Sequence, residues 1–477
     1  MATKVCIIGG GPGGYIAALR ASALGADVTI IEKENLGGTC LNWGCIPSKI
    51  MKNSADILHK CQRAPNFGIC IQGSISADME KLMAQKEKIL VSQRRGLYAL
   101  LTGKGIKVVL GAGKIIVSGQ IEVTSLKGAP ITLSYDKLII AVGTSPLNVP
   151  DFPFDHEKIL SSNDILNLDY IPDSMTIVGG GVIGCEFACI FATLGTKVTI
   201  VEAMSRLLPL PSVDTDTSKV LLREMKKKKI KVICDAIVTS CSPVKKGVGI
   251  KLAQSPFTDN PKPKALKSLG LESQIMAVCI GRTPLSSNIG LENIGLSTQG
   301  PGWIDVNDKM ETCVKNVYAI GDILGPNRVM LAHVASHEGV IAAENAMGKN
   351  INMSYKAIPG GIFTMPEIGI VGLSEQEAKE QGKDIQTADV NFRVLGKAQA
   401  IDEIAGVAKI IIEKKSQRVL GVQLIGPHAT DLITEPTLAI EKGLTACDIA
   451  HTIHAHPTLG EIMGELASKA CGFAIHG

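Results

Sequence analysis

Residues 4–32 read KVCIIGGGPGGYIAALRASALGADVTIIE, and residues 175–202 read MTIVGGGVIGCEFACIFATLGTKVTIVE. Each stretch is a strand, a glycine turn, a helix and a second strand, and every matched position is offset by 170. Gly9, Gly11 and Gly14 form GxGxxG; Gly179, Gly181 and Gly184 form it again; Glu32 and Glu202 close the second strands. In such a turn the first glycine permits the tight bend, the second lets a pyrophosphate approach the backbone, and the third lets helix pack on strand. The helix N-terminus then faces the phosphates, and the terminal Glu accepts hydrogen bonds from a ribose diol. Apolar residues recur at helical spacing, as Ile16, Leu19 and Ala23 and as Ile183, Phe187 and Phe191. The β-branched strands suit a parallel sheet covered on both faces. Two copies predict two dinucleotide sites and an electron relay between two cofactors, such as a flavin and a nicotinamide.

The flanking segments fit around these units. LIIAVGTSP (138–146) and MAVCIGRTP (276–284) both run from an apolar strand into Gly and then Pro, as where a chain leaves one domain and later re-enters it. NVYAIGDI (316–323) ends in Gly-Asp and puts the Asp322 carboxylate at the C-terminal edge of a sheet, where ligands of open α/β folds bind. Beyond about residue 348 the runs IGIVGL, AKIIIE and VLGVQLIG and one helix, PTLAIEKG, read as a separate α+β domain. The expected class is α/β, with two Rossmann-like dinucleotide-binding domains and a C-terminal α+β domain. The expected boundaries are 1–147 for the first dinucleotide domain, 148–274 for the second, 275–347 for a central domain and 348–477 for the last.

Composition narrows the function. The chain has 477 residues, 45% hydrophobic and 20% charged, with ample core for several domains. A net charge of +4 from 49 basic and 45 acidic residues offers no field for nucleic acid. KKKK at 226–229 ends a helical stretch beginning near Val220 and reads as a solvated terminus, while residues 255–270 read as an exposed loop. Thirteen scattered cysteines argue against a secreted disulfide framework. With no apolar leader before Val5 and no run reaching the roughly 18 residues of a membrane span, the chain reads as cytoplasmic.

Chemistry concentrates in GGTCLNWGCIPSK (37–49), where Cys40 and Cys45 stand five apart, and in HTIHAHPTLGEIM (451–463). Zinc would need a second Cys or His pair at ligand spacing, and none stands out, so no metal is expected. Cysteines five apart at a helix start come within disulfide range if the turn between them is distorted, and the helix N-terminus favours a thiolate. The other eleven cysteines read as unrelated, and Cys471 as standing alone. His451 and His454 read as surface or packing residues. Pro457 follows His456, and Glu461 lies close enough to accept the His456 Nδ1 proton and leave Nε2 as a base.

Taken in order, GxGPGG, GGTCLNxGCIPSK, a second GxGxxGxE unit, a Gly-Asp strand and a terminal HPTxxE resemble the flavin disulfide oxidoreductases from end to end. They are most similar to the branch that oxidises dihydrolipoyl groups with NAD. The resemblance implies FAD on the first unit, in 1–147, NAD on the second, in 148–274, and a C-terminal α+β dimerisation domain as the interface, in 348–477. It implies a redox disulfide in which Cys40 exchanges with substrate and Cys45 faces the flavin. It places Lys49 and Glu186 beside the flavin ring, Gly113 at an FAD contact, and Asp322 and Ala332 at ribityl and ring contacts. Gly143 and Thr144 join the FAD set; Glu186, Val238 and Gly281 are counted with NAD. It also implies that His456 and Glu461 act on the partner subunit's disulfide, making a homodimer obligatory, and that a separate lipoyl-carrying protein is the partner. Glutathione-reductase-like, mercuric-reductase-like and non-catalytic flavoprotein roles are the rivals. A glutathione reductase would carry cations where Glu202 stands, and a mercuric reductase would carry a vicinal Cys pair at its end.

Overall fold

Continuous apolar strands force burial on both faces, and the chain answers with two parallel sheets of the same kind. The computed structural model describes residues 1–125, 128–258 and 270–476; most of the loop expected at 255–270 lies outside them. The chain divides into two units, Met1–Met51 with Glu80–Leu147 and Gly281–Ser354, and Lys52–Met79 with Asn148–Ile280 and Tyr355–Gly477.

In the first unit the sheet order is Val317–Ala319, Lys137–Ile140, Lys4–Ile8, Asp27–Glu32, Lys107–Leu110, all parallel. Ile7 pairs with Ile30 on one side and Ile139 on the other, and all three are fully buried. The helix Pro12–Ala23 does not bury the face its large residues suggest. Gly13, Gly14, Ala17, Ala18 and Ala21 are buried, whereas Ile16 and Leu19 are half-buried and Ala23 is exposed. The reason is the helix Ala332–Ala346, which comes so close that a Cβ on its Gly339 would stand 2.4 Å from the Gly13 carbonyl oxygen. Only a stripe of small residues admits that approach. The Arg20 guanidinium pairs with Glu344, which Lys349 also reaches at 3.1 Å, tying the far ends of the two helices.

A two-stranded antiparallel ribbon, Thr144–Pro146 against Arg282–Pro284, marks where the chain leaves this unit and returns. Leu147 N–H donates to the Gly281 carbonyl at 3.0 Å, and Leu285 N–H to that of Gly143 at 3.0 Å.

The second unit repeats the parallel pattern in the order Lys231–Ile233, Lys197–Val201, Ser174–Val178, Ile275–Val278, Ile159–Ser161. Its helix Val182–Leu194 buries Phe187 and Phe191, while Ile183 stays 38% exposed. The same unit holds an antiparallel sheet, Gly360–Ile362, Glu367–Gly372, Val419–Gly426, Val407–Glu413, Ile385–Asn391. Ile410, Ile412, Val422 and Leu424 of that sheet share a core with Ile462, Met463 and Leu466 from the helix Glu461–Ala470. Parallel sheets with glycine turns and a C-terminal antiparallel layer are the α/β and α+β class expected. The lysine run ends a helix that starts earlier than expected, Thr215–Lys227, and its Lys228 is half-buried with its pKa lowered by that burial. No helix among the described residues is long and apolar enough to cross a membrane.

Candidate active site

The two glycine turns superimpose in their chemistry. A Cβ on Gly14 would stand 1.9 Å from the Gly9 carbonyl oxygen, and one on Gly184 would stand 2.0 Å from that of Gly179. Gly9 and Gly179 hold φ of +107° and +104°, with backbone carbonyls 2.2 and 2.4 Å from where a Cβ would project. Gly11 and Gly181 cap the helices in extended conformation, and the space where their side chains would stand is open, with nothing nearer than 3.8 Å at Gly11 and nothing within 4 Å at Gly181. The Glu32 carboxylate accepts from Gly10 N–H at 2.7 Å and Glu34 N–H at 2.8 Å; Glu202 accepts from Gly180 N–H and, at 2.7 Å, from Met204 N–H. Burial raises the Glu32 pKa against those two donors. Each turn therefore leaves room for a pyrophosphate before a helix N-terminus and fixes a carboxylate at the end of the following strand, which fits one dinucleotide apiece.

The cysteine segment forms a break between two helices. Cys40 lies in Gly38–Trp43 and Cys45 starts Cys45–Gln62, with Gly44 between them at φ −153°, ψ −109°, outside the helical and extended regions. That distortion sets Cys40 against Cys45, and the two are not joined by a disulfide. The contact with Cys45, and then burial, raise the Cys40 pKa; the Lys49 charge opposes the rise. Asn42 fastens the segment, donating to the carbonyls of Leu36 at 3.1 Å and Gly38 at 3.0 Å, while Arg94 donates to its Oδ1 at 3.1 Å. Trp43 is half-buried, and nothing in the structure explains an indole there.

Asp322 sits where the strand Val317–Ala319 ends, in the short helix Gly321–Leu324. Thr144 Oγ1 donates to its Oδ2 at 3.1 Å, and Arg282 Nε donates to that same Thr144 oxygen at 2.6 Å. Arg282 is one of the residues the sequence reading missed. Its charge bears on both Asp322 and Cys45, and burial lowers its pKa. The GRTP strand end was the available signal, because a cation following the glycine of a returning strand points back at the sheet edge. Glu338 was missed too; buried at 1% exposure, it accepts from Gly321 N–H at 2.7 Å and locks the Gly-Asp turn. Ala332 opens the helix Ala332–Ala346.

Other expected contacts occupy varied settings. Gly143 has φ +68° with open space where a Cβ would be; Gly281 has φ +143°; Gly113 lies in the strand Ala112–Val117 against Ile31. The buried Glu186 accepts from Phe363 N–H at 3.0 Å. The Val238 side chain lies in an apolar cluster with Val178, Val201 and Met276. Arg206 spends its guanidinium on the carbonyls of Leu208 at 2.6 Å and Leu210 at 2.9 Å and on Ser218 Oγ at 2.7 Å.

In the terminal segment His456 Nδ1 and Glu461 Oε1 lie 2.8 Å apart, and Glu461 Oε2 accepts from Thr458 N–H at 3.0 Å. The His456 bond, then the Thr458 bond, hold the Glu461 carboxyl below the usual carboxylate range. His454 Nε2 meets Glu435 at 3.0 Å, and the His451 ring stacks on Phe473. One expectation fails here: Cys447 and Cys471, counted among the eleven unrelated cysteines, form a disulfide, their Cα atoms 5.9 Å apart. Their separation of 24 residues hid the pair, which the packing of two helices brings together.

Residues 3–339 match the family described as pyridine nucleotide-disulphide oxidoreductase, and residues 358–467 match its dimerisation domain. The chain belongs to the pyridine nucleotide-disulphide oxidoreductases, FAD-dependent enzymes built as homodimers on that domain. Among its curated relatives are the dihydrolipoyl dehydrogenases of Chlamydia muridarum, 40% identical over 98% of this chain and 97% of that one, and of Geobacillus stearothermophilus, 37% identical over 99% and 97%. Among solved structures it resembles LpdA from Mycobacterium tuberculosis, with TM-score 0.89 and 27% identity over 98% of this chain and 99% of that one. The HOCl-induced flavoprotein disulfide reductase RclA from Escherichia coli aligns with TM-score 0.83 and 26% identity over 98% and 99%.

Proposed function

We propose that this chain catalyses dihydrolipoyl dehydrogenase chemistry in the cytoplasm, oxidising dihydrolipoyl groups on a separate carrier protein and passing two electrons through Cys40 and Cys45 and FAD to NAD. The observation that carries this reading is the placement of Cys40 beside Cys45 across the break at Gly44, with Cys45 opening a helix. End-to-end identity with dihydrolipoyl dehydrogenases supports the choice of substrate.

The residues divide the work as follows. His456, its Nδ1 proton donated to Glu461, presents Nε2 as the base that takes a proton from a substrate thiol. The substrate thiolate attacks Cys40 Sγ of the oxidised pair, a mixed disulfide forms, and Cys45 leaves as a thiolate at the helix N-terminus. The second substrate thiol attacks the substrate's own sulfur in that bond, closing the lipoyl disulfide and returning Cys40 as a thiol. A base is needed in either direction, because the raised pKa of Cys40 keeps its proton on at neutral pH. Gly9, Gly11, Gly14, Glu32, Lys49, Gly113, Gly143, Thr144, Asp322 and Ala332 would hold FAD, which would supply a two-electron relay between the reduced pair and NAD. Gly179, Gly181, Gly184, Glu186, Glu202, Val238 and Gly281 make up the NAD side. Glu202 selects a free ribose diol, and Arg206, committed to its own loop, is not placed to bind a 2′-phosphate.

A steady-state comparison of dihydrolipoamide, glutathione disulfide and mercuric ion, each with the appropriate form of NAD and of NADP, tests the reading. Dihydrolipoamide with NAD should give the highest kcat/KM; a higher value for glutathione disulfide with NADPH, or for mercuric ion with either reduced cofactor, would overturn it.

A further inference from the structure

We propose that Cys447 and Cys471 form a second thiol–disulfide exchange site, reactive toward small thiol reductants, whose oxidised form holds His456 and Glu461 in working position. The inference rests on the reading of His456 as the catalytic base. Cys447 lies in the helix Ala446–Ala450, and Cys471 ends the helix Glu461–Ala470. The bond therefore closes a loop whose interior contains His451, His454, His456 and Glu461.

The two ends of that loop are anchored unequally with its middle. The helix Glu461–Ala470 buries Ile462, Met463, Leu466, Ala467 and Ala470, and the helix Ala446–Ala450 buries Ala446 and Ile449. No residue from His451 to Gly460 is buried, and Ile453 is 96% exposed. Polar bonds shape this stretch: His454 to Glu435, His456 and Thr458 N–H to Glu461, and Thr458 Oγ1 to the Ala455 carbonyl at 2.7 Å. Within its own subunit this segment is held mainly by polar bonds, so joining its ends covalently removes conformations that an open chain would sample. Beyond Cys471 the tail folds back over the same helices, with Phe473 stacked on His451 and His476 Nδ1 2.8 Å from Glu465.

Cys447 and Cys471 are both only partly buried, unlike the fully enclosed Cys185 and Cys189. A reductant thiolate attacks one sulfur of the pair, the other leaves as a thiolate, and a second reductant thiol resolves the mixed disulfide. Two electrons and two protons pass to Cys447 and Cys471, and two reductant thiols, from one dithiol or from two glutathiones, become a disulfide.

The test equilibrates the FAD-loaded dimer in glutathione buffers of graded potential, traps thiols by acid and alkylation, and maps peptides, following Cys40 and Cys45 separately. The Cys447 and Cys471 peptides should be linked in oxidising buffer and doubly alkylated in reducing buffer. Amide exchange across 451–460 should rise on reduction. Turnover of dihydrolipoamide immediately after reduction should fall roughly tenfold, as for a misplaced catalytic group, and oxidation should restore it. A Cys447→Ser/Cys471→Ser double variant should show the lowered turnover and an altered pH profile at every potential, with its flavin spectrum unchanged. The proposal is overturned if both thiols stay alkylatable where Cys40 and Cys45 are already oxidised, or if exchange across 451–460 is the same in both states. It is equally overturned if the double variant matches oxidised wild type in turnover and pH profile. Should the double variant fail to fold, the wild-type titration and exchange data decide. If dihydrolipoamide is not the substrate, wild type turns over in no buffer, while the peptide map and amide exchange still report on the disulfide.

Discussion

Cys6, Cys189 and Cys279 differ from the exposed Cys70 and Cys313 in what surrounds their sulfur, and that difference sets how fast each is alkylated. Burial pushes Cys6 and Cys279 up to about 12 and Cys189 to about 11, so their thiolates are scarce at neutral pH. Iodoacetamide at pH 8 should therefore label the exposed Cys70 and Cys313 rapidly and leave Cys6, Cys189 and Cys279 intact in the folded protein, read by peptide mass. Early labelling of Cys279 would contradict the burial argument. Charge decides selectivity at Glu202 by the same local reasoning. A 2′-phosphate about 5 Å from this carboxylate, at an effective dielectric of about 20, is repelled by roughly 3 kcal/mol per unit charge. NAD should thus be preferred over NADP by two or more orders of magnitude in kcat/KM, and Glu202→Ala should narrow the gap; equal efficiencies in the wild type would sink the assignment.

At the level of elements, the strand–turn–helix units could be read directly, because Gly14 and Gly184 answer to carbonyls five residues before them, and Gly9 and Gly179 to their own positive φ. The Cys40–Cys45 and His456–Glu461 pairs were legible for the same reason: five residues separate each pair, and one local bend joins them. What stayed hidden depends on partners far along the chain. The buried stripe of the helix Pro12–Ala23 is set by Gly339 over 300 residues away, and no periodicity within the helix announces it. Arg282 reaches Thr144 and Asp322 only because the returning strand pairs with the departing one. Gly339→Leu should accordingly cost about 1–3 kcal/mol or more by overpacking against the Gly13 backbone, seen as a lower thermal midpoint and weaker FAD retention; wild-type stability would disprove the close approach. For the 454–461 loop, pH is the probe. The Glu461 pKa is lowered in the fold, so its stabilisation is complete above its unfolded pKa of about 4.3 and lost as pH falls through the lower folded value. The difference in thermal midpoint between wild type and Glu461→Gln should not fade between pH 8 and pH 5 and should shrink only below about pH 4. A difference already fading at pH 6 would mean that another group holds the loop.

On the scale of the whole molecule, the redox cysteines belong to one compact unit and the His456–Glu461 pair to the other, within the segment that matches the dimerisation domain. A dimer built on that domain has two cysteine pairs and two bases to distribute, and the assignment of His456 to the partner's cysteines has a consequence no single variant can mimic. His456→Gln keeps the size of the side chain and removes the base, so turnover should fall by roughly 10²–10⁴. Cys45→Ser removes the disulfide and should leave essentially no turnover of dihydrolipoamide. Heterodimers of the two, isolated through different affinity tags, contain one site in which both cysteines and the partner's base are intact, and one site in which both are lost. Activity should then recover toward half of wild type per heterodimer from two nearly inactive parents. If His456 instead served its own subunit, each site of the heterodimer would lack either the base or a cysteine, and mixing would restore nothing. Flavin content, expected to match wild type in both parents and in the mixture, separates a lost base from a lost fold, so verified heterodimers that stay inactive would return His456 to its own chain or remove it from catalysis.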